Sequence, residues 1–366
     1  MKTKLAIQTL KLSTNYGGIL QAFALQYFLE KRGSKVIHLR MYEIPKPIIL
    51  RLKLIAHTLR YRKLRKAVRS ADNVFSTFIN KYLKLAPHVS SLAEWRNYIQ
   101  RENFNAVVVG SDQVWRLDYI NAFVEGYFLD FVKGNTKKIA YAASLGNDSF
   151  DPDRILAINK MLQDFDAISL RELSGVHLFA DKLNIKAEHV VDPTLLLRQN
   201  EYIDLFALEK KSEGKKLFCY VLDKAAFKFE IINKVKSELD LSLTFVYGAE
   251  VTKENYKDKD LSTKVPVEQW LQNFYNAEFV ITDSFHGMIF SIIFNKPFLV
   301  ISNEHRGVAR FTSLLDLVNL RERLVFNKDN FDETLLRNSI DYVQVNEIIW
   351  REKDRADTFF NNVLNG

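Results

Sequence analysis

The chain's 366 residues include a single cysteine, Cys219. No intramolecular disulfide can form and no cysteine-based zinc site can be built, so a reducing compartment fits best. No uninterrupted apolar run approaches the ~20 residues that a membrane-spanning helix needs. Residues 1–18 carry basic side chains but only scattered apolar ones, so no signal peptide is expected. Neither G-x-G-x-x-G nor G-x-x-x-x-G-K-[ST] occurs, which leaves a nicotinamide or Walker-type site unsupported. The seven histidines are scattered, with no H-x-x-x-H or similar spacing. No metal and no other cofactor is therefore expected. No nucleic-acid partner is expected either.

What is present is the composition of a globular enzyme. The apolar fraction of 47% excludes disorder, and the length suits two domains better than one core. The net charge of +8 is local. Residues 46–69 hold nine lysines and arginines, among them Arg60, Arg62, Lys63, Arg65 and Lys66, and no acid. Ile48, Leu52, Ile55, Leu59 and Leu64 are interleaved with them. A basic amphipathic segment of this kind suits an anionic membrane surface or a polyanionic ligand. A solvated helical face on an insertion would read the same way. The location expected is cytoplasmic, with peripheral contact at the inner face of the membrane.

Apolar runs and helical periodicities alternate along the chain, which predicts parallel sheets in an α/β protein. Strands are expected at residues 4–10, 35–39, 106–110, 138–145, 167–171 and 189–191, then at 217–222, 243–247, 279–282 and 297–301. A mostly helical insertion is expected at about 45–101. The break at Asp192-Pro193-Thr194 divides the chain into an N-terminal Rossmann-like domain, 1–195, and a C-terminal one, 196–366. The two would face each other across a cleft. A terminal helix over 345–364 is expected to pack back on the first domain.

Residues 282–301, TDSFHGMIFSIIFNKPFLVI, read as strand, turn, helix, strand. They put His286 at the carboxyl end of a buried strand and the amino end of a helix. Ligands bind at that edge of open α/β sheets, and a helix amino terminus favours anions. Ser284 and Gly287 share the helix end, and Asp283 and Ser284 are the neighbours expected to fix the imidazole's tautomer. Asn15, Gly17 and Gly18 form a similar strand-to-helix turn. Glycines there let backbone approach a ligand, although a plain tight turn is the commoner use for them. Asp112 ends another apolar strand, as a helix cap or as a base for a hydroxyl. Gln113 and Arg116 would add donors and Trp115 a flat face for a sugar. Arg171 lies just beyond a strand, where its fork suits carboxylate or phosphate, or pairs with Glu172. Arg306 and Arg310 flank a later loop and suit the same work.

Six blocks in this order carry a family likeness: NYGGILQAFALQYFLEKRG, VVVGSDQVW, KIAYAASLG, ISLRE, VVDPTLLL and ITDSFHGMIFSIIFNKPFLVI. Over most of its length the chain resembles the polysaccharide pyruvyl transferases. The resemblance implies a GT-B-like pair of Rossmann-like domains. It also implies transfer of pyruvate from phosphoenolpyruvate to two hydroxyls of one sugar, as a cyclic ketal. The acceptors implied are bacterial capsules, exopolysaccharides or secondary cell-wall polymers, often while lipid-linked. On this reading His286 contacts the donor and protonates it, and Arg171 holds the donor's anionic groups. The turn at Asn15, Gly17 and Gly18 and the helix end at Ser284 and Gly287 receive phosphate or acceptor. Asp112 is the base for the acceptor hydroxyl. Family members carry Arg-x-His-Gly where this chain has Ser284-Phe285-His286-Gly287, so Arg306 or Arg310 is expected to supply the missing charge. Two other readings stay open: a GT-B glycosyltransferase with a nucleotide-sugar donor, and a non-catalytic protein that binds glycolipid or partner enzymes.

Overall fold

A computed structural model of the protein describes residues 2–40, 62–89, 91–120, 123–146, 154–211, 214–302, 307–327 and 331–365. Arg306 and residues 41–61, which include residues 46–61 of the basic segment, lie outside them. Among the described residues, short apolar runs form eleven strands in two parallel sheets. The first sheet contains β1 (Lys4–Gln8), β2 (Lys35–His38), β3 (Ala106–Val109), β4 (Lys137–Ala143), β5 (Ala167–Leu170) and β6 (Glu188–His189), in the order β2-β1-β3-β4-β5-β6. The second contains β7 (Lys216–Val221), β8 (Ser242–Tyr247), β9 (Phe279–Thr282), β10 (Phe298–Ile301) and β11 (Leu324–Val325), in the order β11-β10-β9-β7-β8. Strands such as β3, AVVV, are buried at every position, as a parallel sheet covered on both faces requires.

Each sheet changes direction once. In the first, the chain leaves β1 to one side for β2 and to the other for β3; in the second, β8 and β9 flank β7. A crevice opens at the carboxyl ends of the strands at such a point. The first crevice is bounded by Thr9 and by Ser111-Asp112, the second by Leu222 and by Asp283-Ser284.

The two halves share one core. The ring of Tyr16, from the helix Tyr16–Lys31, stacks on Trp270 at 5.2 Å and 6°. Its hydroxyl donates to the Val265 carbonyl at 2.8 Å and accepts from the Val265 amide at 3.1 Å. The helix Arg62–Tyr82 buries Ala71, Phe75, Phe78 and Ile79, and leaves Arg62, Lys63, Arg65, Lys66 and Arg69 exposed. The terminal helix Tyr342–Asn365 lies against the first half, with Phe360 at 4.9 Å from Tyr141 and 6.0 Å from Phe28. Among the described residues no helix is long and apolar enough to cross a membrane.

Candidate active site

His286 stands on the first turn of the helix Phe285–Ile293, directly after β9. Ser284 caps that helix by accepting from the Gly287 amide at 3.4 Å. Gly287 is there for packing: a Cβ on it would lie 2.1 Å from Thr282 Oγ1, so only glycine lets the helix start so close to its strand. From the other half, Gly17 presses against the imidazole. A Cβ at Gly17 would lie 2.0 Å from His286 Nδ1 and 2.2 Å from its Cγ. The helix end that carries Gly17 is capped by the exposed Asn15, whose Oδ1 accepts from the Gly18 amide at 3.2 Å.

The neighbours expected to orient the imidazole do other work. Asp283 pairs with the buried Lys228 and accepts from the Leu222 amide at 2.8 Å. Burial raises its pKa despite Lys228 and that amide. Removing one partner of a buried ion pair costs about 3–5 kcal/mol. Lys228→Met is therefore expected to lower unfolding free energy by roughly that amount, measured by urea denaturation.

Asp192 faces His286 instead, with its Oδ2 3.6 Å from Nε2. Arg171 Nη1 donates to the same oxygen at 2.8 Å, and Ser111 Oγ at 3.3 Å. Burial opposes the Asp192 charge. His286, Arg171 and the Thr194 amide outweigh burial and hold the carboxyl well below the usual carboxylate range. In the sequence, Asp192 reads only as part of the break between domains. The signal that could have found it is an acid directly after the short apolar run His189-Val190-Val191.

Arg171 is the centre of a buried charge cluster. Besides Asp192 it meets Asp112 Oδ1 at 3.5 Å and Glu172 Oε1 at 3.7 Å. Burial works against its charge, but the three carboxylates raise its pKa overall. Asp112 reaches this place through a left-handed turn, φ 66°, one residue after Ser111. Glu172 is pushed up by burial, with Arg171 and the Ser144 hydroxyl pulling the other way. Two guanidiniums lie over the Phe285 ring: Arg171 at 4.5 Å and Arg310, from the second half, at 5.4 Å. Burial, then Arg171, lower the Arg310 pKa to about 10. Arg171, Arg310, Asp112 and His286 are thus gathered at one place between the sheets.

Trp115 is not a sugar platform. It is buried between Phe128 and Phe179, at 5.3 and 5.8 Å, and its Nε1 donates to the Tyr127 carbonyl at 3.1 Å. Gln113 is buried with its amide against Gly146. A buried amide missed in the sequence, Gln21, donates to Thr9 Oγ1 and accepts from the Ser111 amide, each at 2.9 Å. It ties the first turn to the Asp112 turn. Among the described residues no group of three or more histidines, cysteines or carboxylates is placed to hold a metal ion.

A family model described as polysaccharide pyruvyl transferase matches residues 15–305, which include His286, Arg171, Asp112 and Asp192. The chain belongs to that family. Membership makes it a transferase that acts on a sugar or polysaccharide acceptor. No curated protein matches the pyruvyl transferase significantly. Among solved structures it is similar to S. aureus MnaA with UDP: 16% identity, 100% of this chain, 97% of that chain, TM-score 0.53. A glycosyltransferase from Rickettsia africae gives 9%, 100%, 99% and 0.55. A UDP-GlcNAc 2-epimerase from Methanocaldococcus jannaschii, in complex with UDP-GlcNAc and UDP, gives 15%, 98%, 100% and 0.53. At these identities the likeness concerns the fold, which is GT-B-like in this pyruvyl transferase.

Proposed function

We propose that the enzyme moves the pyruvyl group of phosphoenolpyruvate onto two hydroxyls of one sugar in a bacterial surface-polysaccharide precursor. The products are a cyclic ketal and inorganic phosphate. The observation that carries this reading is the convergence of His286, Arg171 and Arg310 at one buried place, from both halves of the molecule. A small compound that bears both a carboxylate and a phosphate needs cations at fixed geometry. Arg310 stays protonated at neutral pH, but burial and Arg171 both disfavour its charge, so an anion that enters beside it relieves that cost. It therefore takes the part of the arginine missing two positions before His286.

In the reaction C3 of the enol gains a proton from His286, and C2 becomes electrophilic. A sugar hydroxyl attacks C2 as Asp112 receives its proton. The C2–O bond to phosphate breaks, and the second hydroxyl closes the ketal on C2. Arg171 and Arg310 hold the donor's charges through these steps. Arg310→Ala is expected to raise the KM for phosphoenolpyruvate about 10- to 100-fold, since a hydrogen bond to a charged group is worth ~1.5–3 kcal/mol. Arg306→Ala is the companion variant. Wild-type saturation in both would remove arginine 306 and arginine 310 from donor binding.

The fold neighbours solved with UDP make a nucleotide-sugar donor the reading to exclude. The experiment is incubation with phosphoenolpyruvate and a panel of free and lipid-linked galactose, glucose and mannosamine acceptors. Phosphate release is followed, and mass spectrometry looks for one added pyruvate less water. Thermal stabilisation by UDP with no product from phosphoenolpyruvate would overturn the proposal.

The exposed basic face of the helix Arg62–Tyr82 supports a peripheral approach to a lipid-linked acceptor at an anionic membrane. Co-sedimentation with anionic vesicles is expected to fall as ionic strength rises, because charges are screened beyond ~8 Å at physiological salt. It is also expected to fall when Arg62, Lys63, Arg65 and Lys66 are neutralised. Binding indifferent to both would assign the helix a purely structural role.

A further inference from the structure

Asp192 lies on the segment that joins the two sheets, and its side chain is fully buried. Its two oxygens have different work. Oδ1 accepts from the Thr194 amide at 3.0 Å and the Thr194 hydroxyl at 2.7 Å, which caps the turn Pro193–Leu196. An amide in place of the carboxylate would cap as well. Oδ2 gathers Arg171 and Ser111 from the first half and faces His286 of the second. The cap does not account for Oδ2. Nor does it account for His286 Nε2, which is buried without a hydrogen-bond partner among the described residues and lies 3.6 Å from that oxygen. The other ring nitrogen, Nδ1, is turned toward Gly17.

We propose that Asp192 is the positioning residue for His286: Oδ2 holds the imidazolium by its Nε2 side and leaves Nδ1–H as the proton delivered to the donor. The proposal rests on the pyruvyl-transfer reading above. In the step, the Nδ1–H bond breaks and its electron pair stays on the ring. The C2=C3 π pair of the enol forms the new C3–H bond, and C2 is left to accept the sugar oxygen. Two hydroxyl protons are released as the ketal forms. The one received by Asp112 leaves with phosphate, and the other returns to Nδ1. Asp192 remains ionised throughout. Because the same oxygen holds Arg171, the donor-binding cation and the acid are set by one side chain on the inter-sheet segment.

Among the described residues, the charged groups around the imidazole are Asp192 and Arg171, with Asp112, Glu172 and Arg310 grouped around Arg171. The Tyr16–Lys31 helix contributes uncharged backbone at Gly17. Asp192→Asn keeps the cap and the volume but removes the charge that favours the protonated ring. Activity that needs the protonated ring is then lost at lower pH. The alkaline limb of the kcat profile is expected to move down by about 1–3 pH units.

The test pairs that profile with NMR titration of histidine-labelled enzyme without substrate, the His286 signal being assigned from His286→Gln. The expected result is a lower titration midpoint for His286 in Asp192→Asn, with the same displacement of the kcat limb. An unchanged midpoint overturns the proposal, and so does a shifted midpoint with an unchanged profile. Should Asp192→Asn not fold, the nitrogen shifts of wild-type His286 decide: a neutral ring with its proton on Nε2 supports the proposal, and one with it on Nδ1 overturns it. The titration needs no turnover. Failure of pyruvyl transfer itself would therefore be seen separately, as absence of phosphate release in the wild type.

Discussion

His286→Gln is expected to lower kcat for pyruvyl transfer by about 10²–10⁴-fold, the usual range for removing a general acid. Glutamine keeps hydrogen-bonding capacity and similar reach, so the loss reports the proton rather than the space. The KM for phosphoenolpyruvate is expected to change far less, because Arg171 and Arg310 carry the donor's charges and neither depends on the imidazole for its place over Phe285. Steady-state kinetics with a coupled phosphate assay measures both constants. A large rise in KM with kcat intact would instead make His286 a binding group.

Gly17→Ala is expected to be as damaging although it alters no titratable group. The new Cβ would come within 2.0–2.2 Å of the imidazole, and atoms cannot share that space. Either the ring or the helix start must move. A displacement of about 1 Å near the reacting atoms can cost ~10²-fold. The control is Gly18→Ala, where the nearest atoms to a Cβ would be those of the Asn15 side chain, at 3.4 Å. Activity near wild type in Gly18→Ala and a loss of about 10² or more in Gly17→Ala is the expected pair. Thermal midpoints should be measured alongside. Equal activity in the two variants would mean that the contact between Gly17 and His286 is not part of the working enzyme.

The parallel sheets were legible because their strands are buried on both faces and read as continuous apolar runs. Residues 279–282 and 106–110 needed nothing else. Boundaries slipped where tertiary partners decide them. Residues 138–145 read as one strand, yet β4 ends at Ala143, because the Ser144 amide turns to the Asp112 carbonyl at 3.0 Å. The two-residue strand β11 is too short to show a period. At the candidate site, the placement of His286 and Arg171 just beyond strands was legible, since the sheet edge is a property of the fold. Partnership was not legible. Asp283 is beside His286 in sequence but turns to Lys228 across the sheet, while Asp192 arrives from the inter-sheet segment. Trp115 shows the same limit: the residues that enclose it, Phe128 and Phe179, come from separate segments, so its local sequence carries no sign of burial.

The most direct measurement is a crystal structure of the enzyme with phosphoenolpyruvate. The donor is expected between the two halves, its C3 beside the His286 ring and its carboxylate and phosphate against Arg171 and Arg310. Density for the donor away from the imidazole, or a cleft that admits UDP and leaves phosphoenolpyruvate unbound, would contradict it.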